Sequence, residues 1–317
     1  MKRASRTGVN VGYSPMIVPV WVSEKKTIAT AADAAFLAGA ALNSLDGFIK
    51  KGHAWSGCWR SRLALLCALS ANQMLGRETD EAALRDAVLM SRVGENAGPA
   101  GNVLLATRML KTRMDFINSK TLQALVELFS LRWDSTLAEL PVVIDEIMQK
   151  PQAVPFEIAE MVARIYVVRP DAEVLAWWLA DWLLAQRLGW DLPVPLLLTQ
   201  RYGSGFRLSG GKGRVIPGDN GFAQAVCMAL VRGAEDALQL ANDIGRRADR
   251  MTMSSEKIRT KGGERIVWQL LNEDAVSASA PGTDLSRWAS SRFFERLESL
   301  GGVRELSGRS TFRVYGI

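Results

Sequence analysis

The sequence predicts a mainly α protein: a multi-helical body followed by a small C-terminal winged-helix-like module ending in a β-hairpin. Three observations predict it. Apolar residues recur at helical spacing up to about residue 250, with no convincing strand alternation. Gly and Pro residues punctuate those stretches. After Met253 the texture changes to helix, small-residue turn, helix and a short alternating tail. The expected division is a body over 1–250 and a module over 251–317, and 317 residues suffice for two such units.

The N-terminus comes first. Lys2, Arg3 and Arg6 precede an apolar stretch from Val9 to Val22. Pro15 and Pro19 interrupt it, and Glu24, Lys25 and Lys26 charge the region where a leader cleavage site is neutral. The reading is an extended arm packing Ile17, Val18, Val20 and Trp21 onto the body. Alanine-rich 29–50 forms a helix that neighbours can approach closely, and 59–75 follows. Asp80 and Glu81 open a short helix over 82–90 with acids at its positive end. Pro99 suits the first turn of a helix reaching 111. Further helices fall near 119–130, 136–149, 156–168, 171–188 and 219–249. Pro141 makes the second of these start late or kink. The most apolar stretch, Val174 to Leu198, contains Asp181, Gln186, Arg187 and Asp191 and ends at Pro193 and Pro195. It falls short of the roughly 18 uninterrupted apolar residues of a spanning helix, so it reads as a core helix and no membrane span is expected.

Residues 199–221 hold seven glycines, four basic residues and one acid, Asp219. Ser209 to Gly213 invites a phosphate-loop reading, but Phe206 stands where the first glycine must turn and Gly213 where a magnesium-binding hydroxyl belongs. The segment reads as a basic loop, with Arg207, Lys212 and Arg214 as candidate backbone contacts to nucleic acid. In the module, one helix is expected over 255–271, a small-residue turn over 277–283 and a second helix over 286–300. Phe293, Leu297 and Leu300 share one face of that second helix. A hairpin follows, with strands over 303–306 and 311–315 and the turn Ser307 to Ser310. In a winged helix the second helix can enter the major groove and the wing can touch phosphate. Arg292 and Arg296 are one turn apart, and Arg309 sits at the wing tip. Glu305 and Arg313 face each other across the hairpin as a possible ion pair.

Composition excludes several chemistries. The chain carries 39 basic and 33 acidic residues, a net charge of +6, with 48% hydrophobic residues. These are the proportions of an ordinary globular protein. A single histidine, His53, excludes sites built on paired histidines, and its turn setting reads as solvent-facing. Cys58, Cys67 and Cys227 form no CxxC pair and read as three reduced thiols. No metal and no cofactor is expected. Asp181 lies among Trp177, Trp178 and Trp182, so some burial and an arginine partner are expected. Arg60, Arg62 and Arg85 are the candidate partners, with Asp86 as a second carboxylate.

Several segments together resemble one family. They include Leu37 to Leu45 (LAGAALNSL), Trp55 to Arg60 (WSGCWR), Asp80 to Ala87 (DEAALRDA), Gly98 to Gly101 (GPAG), Pro193 to Leu197 (PVPLL), and the ending Arg304 to Arg309 (RELSGR) with Tyr315 to Ile317 (YGI). The combination resembles a bacterial family catalogued as domain of unknown function 1403. The resemblance implies a cytoplasmic bacterial protein and supplies no catalytic residue. The tail is also similar to the winged-helix tail of Fic-type AMP-transferases. Their catalytic motif has no match here, so that similarity implies a module type only.

The leading functional reading is a DNA-associated regulatory protein. It binds double-stranded DNA through Arg292, Arg296 and Arg309, with the 199–221 loop as accessory. The second is an enzyme or small-ligand receptor with a polar pocket around Asp181, Arg60, Arg62, Arg85 and Asp86. The third is a scaffold for a protein partner.

Overall fold

Small residues at helical spacing set the scaffold. The structure, a computed structural model, describes residues 15–23, 28, 30–91, 95–208, 212–279, 284–309 and 311–317. A short helix α1 (Val20–Ser23) precedes α2 (Ala31–Lys51). Thr30 starts α2 with a capping box: its hydroxyl accepts from the Asp33 N–H, and the Asp33 carboxylate accepts from the Thr30 N–H. Then come α3 (Ser56–Met74), α4 (Glu81–Met90) and α5 (Gly98–Arg108), followed by α6 (Ser119–Leu128), α7 (Ser135–Ala138) and α8 (Leu140–Met148). The body closes with α9 (Val154–Val168), α10 (Glu173–Leu188), α11 (Leu197–Gln200) and α12 (Phe222–Glu256). Pro141 begins α8 rather than interrupting a helix, so the stretch expected over 136–149 is two helices.

The α12 helix is the spine. Its 35 residues span about 52 Å at about 1.5 Å per residue. Ala234, Ala237, Ala241 and Ala248 line its buried face, and Ala34, Ala38 and Ala41 line that of α2, which runs along it. Methyl-sized side chains let the two backbones approach closely. The α10 helix is buried on every side from Val174 to Ala185. Each deep tryptophan still satisfies its indole N–H. Trp178 donates to the Ala106 carbonyl at 2.8 Å, Trp182 to Met114 at 2.9 Å and Trp59 to Ala237 at 2.9 Å. No helix among the described residues is long and apolar enough to cross a membrane.

The C-terminal segment holds α13 (Gly263–Asn272), β1 (Val276–Ser277), α14 (Arg287–Ser299), β2 (Arg304–Glu305) and β3 (Val314–Gly316). The sheet is antiparallel with β3 in the centre. Val276 pairs with Tyr315 on one edge, and Arg304 pairs with Gly316 on the other. Phe293 and Leu297 face inward from α14, and Phe294 stacks on Tyr315 with ring centroids 4.8 Å apart. The 250/251 division falls inside α12, which runs unbroken past it.

Several expectations need correction. Of the arm residues, Val18 is buried, whereas Ile17, Val20 and Trp21 are exposed; the earlier part of that stretch lies outside the described residues. The helix expected over 255–271 is broken. α12 ends at Glu256, and Gly262, at φ +86° where only glycine is comfortable, turns the chain into α13. Leu300 is 42% exposed because it caps α14 instead of continuing its inner face. The hairpin strands are shorter than expected and the loop between them longer, and β1 occupies part of the expected turn. His53 is half-buried and stacks against both Phe48 and Trp55, at 5.0 and 4.8 Å, because the turn folds back onto α2.

Phe293 rests on the backbone of Gly263, which joins α14 to α13. Phe293→Ala should lower stability by roughly 3–5 kcal/mol, as for other buried aromatic truncations. Chemical denaturation of the two proteins measures it.

Candidate nucleic-acid interface

Ser286 caps the start of α14 by accepting from the Ala289 N–H at 3.2 Å. The outer side carries Trp288, 68% exposed, and the Arg292 guanidinium lies 4.5 Å from its ring centroid. A cation over an indole face is held in place while keeping donors free. Arg296 is exposed one turn further on, interleaved with the exposed acids Glu295 and Glu298. Arg287, Ser291 and Glu295 line one wall of a groove of about 560 Å³, and Thr311, Phe312 and Arg313 line the other. A helix face, a groove and a hairpin loop thus lie side by side.

The wing tip is engaged. Arg309 pairs with Asp86 of α4, so two residues assigned by sequence to different sites meet. Glu305 does not pair with Arg313. Its carboxylate accepts from the Ser307 hydroxyl and from the Ser307 and Gly308 N–H groups, the latter two at 2.7 and 2.8 Å; desolvation raises its pKa, and these bonds, the hydroxyl's first, bring it below the usual carboxylate range. Glu305 is therefore a turn cap. Arg313 reaches Glu295 at 3.9 Å.

The buried polar residues regroup around a carboxylate that the sequence reading missed. Asp274, fully buried, takes Arg62 of α3 and Arg85 of α4 together, the latter through Nε at 2.5 Å. Burial raises its pKa, and the two guanidiniums overcome that and hold it below the ordinary value. Arg85 also bonds Glu81 at 2.7 Å. Beside this knot Lys111 reaches Glu273 at 3.2 Å, and the Ser61 hydroxyl donates to the Asn272 carbonyl at 3.0 Å. At Gly57 an added Cβ would lie 2.7 Å from the Asn272 Cα, so α3 can meet the end of α13 only without a side chain there.

Among the described residues Asp181 has no arginine partner. Its oxygens accept from the Leu196 and Leu197 N–H groups at 3.0 and 3.1 Å, which anchor the turn into α11. Two backbone donors satisfy the carboxyl where no cation reaches. Burial pushes it up to about 8, although both donors favour the ionised form. Arg60 lies apart from Arg62 and Arg85, its guanidinium 5.5 Å from the Trp59 ring centroid; burial lowers its pKa to about 10, with Asp191 opposing. The five residues proposed as one cluster are thus in four separate arrangements. All three cysteines are buried and unpaired with one another; burial raises Cys58 to about 12 and Cys227 to about 11.

The basic loop is partly built and distant. Arg207 and Arg214 form a two-residue bridge, and Val215 N–H donates to the Phe206 carbonyl at 2.8 Å. Arg214 lies over Tyr202 at 5.3 Å and donates to the Gly203 carbonyl at 3.3 Å. Arg207 and Lys212 are exposed, while Ser209 to Gly211 lie outside the described residues. Gly205 packs near Met228 at the start of α12, whereas Ser254 near its end bonds the Leu300 carbonyl. Loop and module therefore stand about 40 Å apart along the helix, by its rise per residue. Among the described residues no group of three or more His, Cys, Asp or Glu side chains could hold a metal ion.

The sequence reading also missed a group of arginines at Arg247, Arg250 and Arg304, which line one cavity between α12 and β2. The spacing of Arg246, Arg247 and Arg250 on a predicted helix was the available signal.

The chain matches the family described as protein of unknown function (DUF1403) over residues 11–317, and it belongs to that family. No curated protein matches it significantly.

Two outcomes follow from the carboxylates. Asp274→Asn leaves two buried guanidiniums uncompensated and should cost roughly 3–5 kcal/mol at neutral pH, read by denaturant unfolding. Because the Asp274 pKa is lowered by folding, its contribution is complete above the ordinary carboxylate pKa and is lost as pH falls through the folded value. Asp181 has the opposite sign. Its raised pKa makes folding progressively less favourable between its ordinary value of 3.8 and about 8. Stability of the native chain relative to Asp181→Asn should therefore decline from pH 5 to pH 8; unfolding curves at several pH values within that range measure it.

Proposed function

We propose that the protein is a DNA-associated regulatory protein that binds duplex DNA through its C-terminal module. The observation that carries this reading is the exposed Trp288, Arg292 and Arg296 face of α14, set beside a three-stranded sheet of order β1-β3-β2. That arrangement fits a winged helix, in which the helix docks in the major groove and the hairpin loop follows the backbone. The indole gives a flat apolar contact for a sugar or base edge, and the guanidiniums give donors for phosphate or guanine. Glu295 and Glu298 on the same helix oppose phosphate, so affinity rests on few contacts and falls steeply with salt. In this reading DNA phosphate exchanges with Asp86 for Arg309, and the ion pair holds the wing back until it does. The distant 199–221 loop contributes only on a duplex long enough to reach it. A bacterial cytoplasmic setting, where the three buried thiols stay reduced, accompanies the proposal.

The pocket reading lacks comparable support. Asp181 is satisfied by backbone, Asp274 by two arginines and Asp86 by Arg309, so none of these carboxylates faces a cavity as a free acid or base.

Electrophoretic shifts with duplex DNA across a salt series test the proposal. Arg292→Ala/Arg296→Ala should weaken binding and lower the magnitude of the salt slope by about one unit for each phosphate no longer engaged. Asp86→Asn should strengthen binding by releasing Arg309. Coincident curves for the native and Arg292→Ala/Arg296→Ala proteins would overturn it.

A further inference from the structure

Most buried or half-buried arginines of this protein meet a carboxylate. Arg62 and Arg85 meet Asp274, Arg187 meets Glu157 at 2.7 Å, and Arg201 meets Glu173. The reason is energetic: a desolvated guanidinium without a counter-charge is costly. Among the described residues Arg60 and Arg214, each over an aromatic ring, have no such partner, and three further arginines without one share a wall near the end of α12. On the C-terminal half of α12, Arg247 and Arg250 are three residues apart, and β2 brings Arg304 to the same wall. Neighbouring Arg246 is neutralised by Asp243. Among the described residues, Arg247, Arg250 and Arg304 have no ion-pair partner. Together with the Asp243–Arg246 pair they line a cavity of about 310 Å³ closed by the Gly301 to Val303 backbone, Gly316 and Ile317; Arg247 is half-buried, and Arg250 and Arg304 are exposed.

The like charges of Arg304 and Arg250 bear on Arg247. The half-buried Arg247 is held below the usual arginine range, first by desolvation and then by the like charges of Arg304, Arg62 and Arg250, with Asp243 opposing. Converging like charges around an open concavity are stabilised by a multivalent anion. A planar guanidinium fork matches a phosphoryl group through two parallel bonds. A cavity of about 310 Å³ is at the small end of ligand pockets, which excludes an extended ligand.

We propose that this cavity is an anion site for a compact phosphoryl group carrying at least two negative charges, gripped by Arg247, Arg250 and Arg304. The site opens at the β2 edge of the sheet, whereas the groove beside α14 opens at the β1 edge. It therefore stands independently of the DNA reading. A free diphosphate-like ligand and a nucleic-acid backbone phosphate offer the same chemistry, and the experiment separates them.

The test is titration calorimetry of the full-length protein with inorganic pyrophosphate, alongside thermal unfolding in pyrophosphate and in sodium chloride of equal ionic strength. The native protein should bind at one site and gain unfolding temperature beyond that in chloride. Arg250→Ala/Arg304→Ala should bind about tenfold or more weakly, since charge-assisted bonds are removed. Its unfolding temperature without ligand should match or exceed the native value, because repulsion is relieved. Arg207→Ala, at the far end of α12, should bind as the native protein does. A short duplex added to the loaded protein then identifies the source. Displacement of pyrophosphate assigns the site to a backbone phosphate, and retention assigns it to a free ligand. Absence of binding heat with no gain over chloride, or equal binding by the double variant, would overturn the site. Arg292→Ala/Arg296→Ala should leave pyrophosphate binding intact, which keeps this result separate from any failure of DNA binding.

Discussion

The C-terminal module is held to the helical body by one buried carboxylate. Asp274 sits between α13 and β1, and it accepts from Arg62 on α3 and Arg85 on α4 at once. A buried charge of this kind tolerates little displacement, because losing either partner strands the other. The neighbouring contacts repeat the constraint. Lys111 holds Glu273, the Ser61 hydroxyl reaches Asn272, and the Arg62 Nη2 also donates to the Ile317 carbonyl at 3.4 Å. The strand after Asp274 is then fixed where it pairs with β3, and β3 in turn carries β2. The orientation of α14 and its exposed face follows from that chain of contacts, because Phe294 stacks on Tyr315 of β3.

The body supplies rigidity at both ends of the molecule. The α12 helix carries the basic loop near its start and the module near its end, so these cationic regions cannot merge into one patch. Burial of α10 on all sides is possible because its single interior acid, Asp181, is satisfied by two backbone donors from the turn into α11. The same device appears at Glu305, where a carboxylate closes the hairpin turn through N–H groups. Arginine carboxylate pairs do the remaining work of joining helices, and in the cavity near the end of α12 the one such pair among the described residues, Asp243 with Arg246, leaves Arg247, Arg250 and Arg304 without a carboxylate of their own.

Arg309 links the two halves of the functional argument. Its pairing with Asp86 ties the hairpin loop to α4, and the same contact occupies the cation that a wing would offer to phosphate. The exposed face of α14 is free of such a clamp, with Arg292 stacked on Trp288 and Arg296 open to solvent. The module's wing arginine is thus paired with an acid of the body, whereas Arg292 and Arg296 have only Glu295 and Glu298 of their own helix nearby.

The sequence by itself determined the mainly α class, most helix positions, the terminal hairpin and the burial of the Trp177 to Trp182 stretch. These depend on the periodicity of apolar residues and on local breakers, which are written along the chain. It also marked the outward side of α14, since Arg292 and Arg296 share a face by spacing alone. Only the tertiary structure decided which charges meet. Asp181 looked like an arginine partner because it lies among tryptophans, yet its donors come from the backbone of Leu196 and Leu197, a partnership that no side-chain pattern encodes. Arg62 and Arg85 looked like companions of Asp181, yet they converge on Asp274, about two hundred residues further along the chain. Arg309 and Asp86 were assigned to different sites and are one pair. Pairing of buried charges depends on distance in space, and a chain that folds 317 residues around one long helix fixes those distances only when the helices pack.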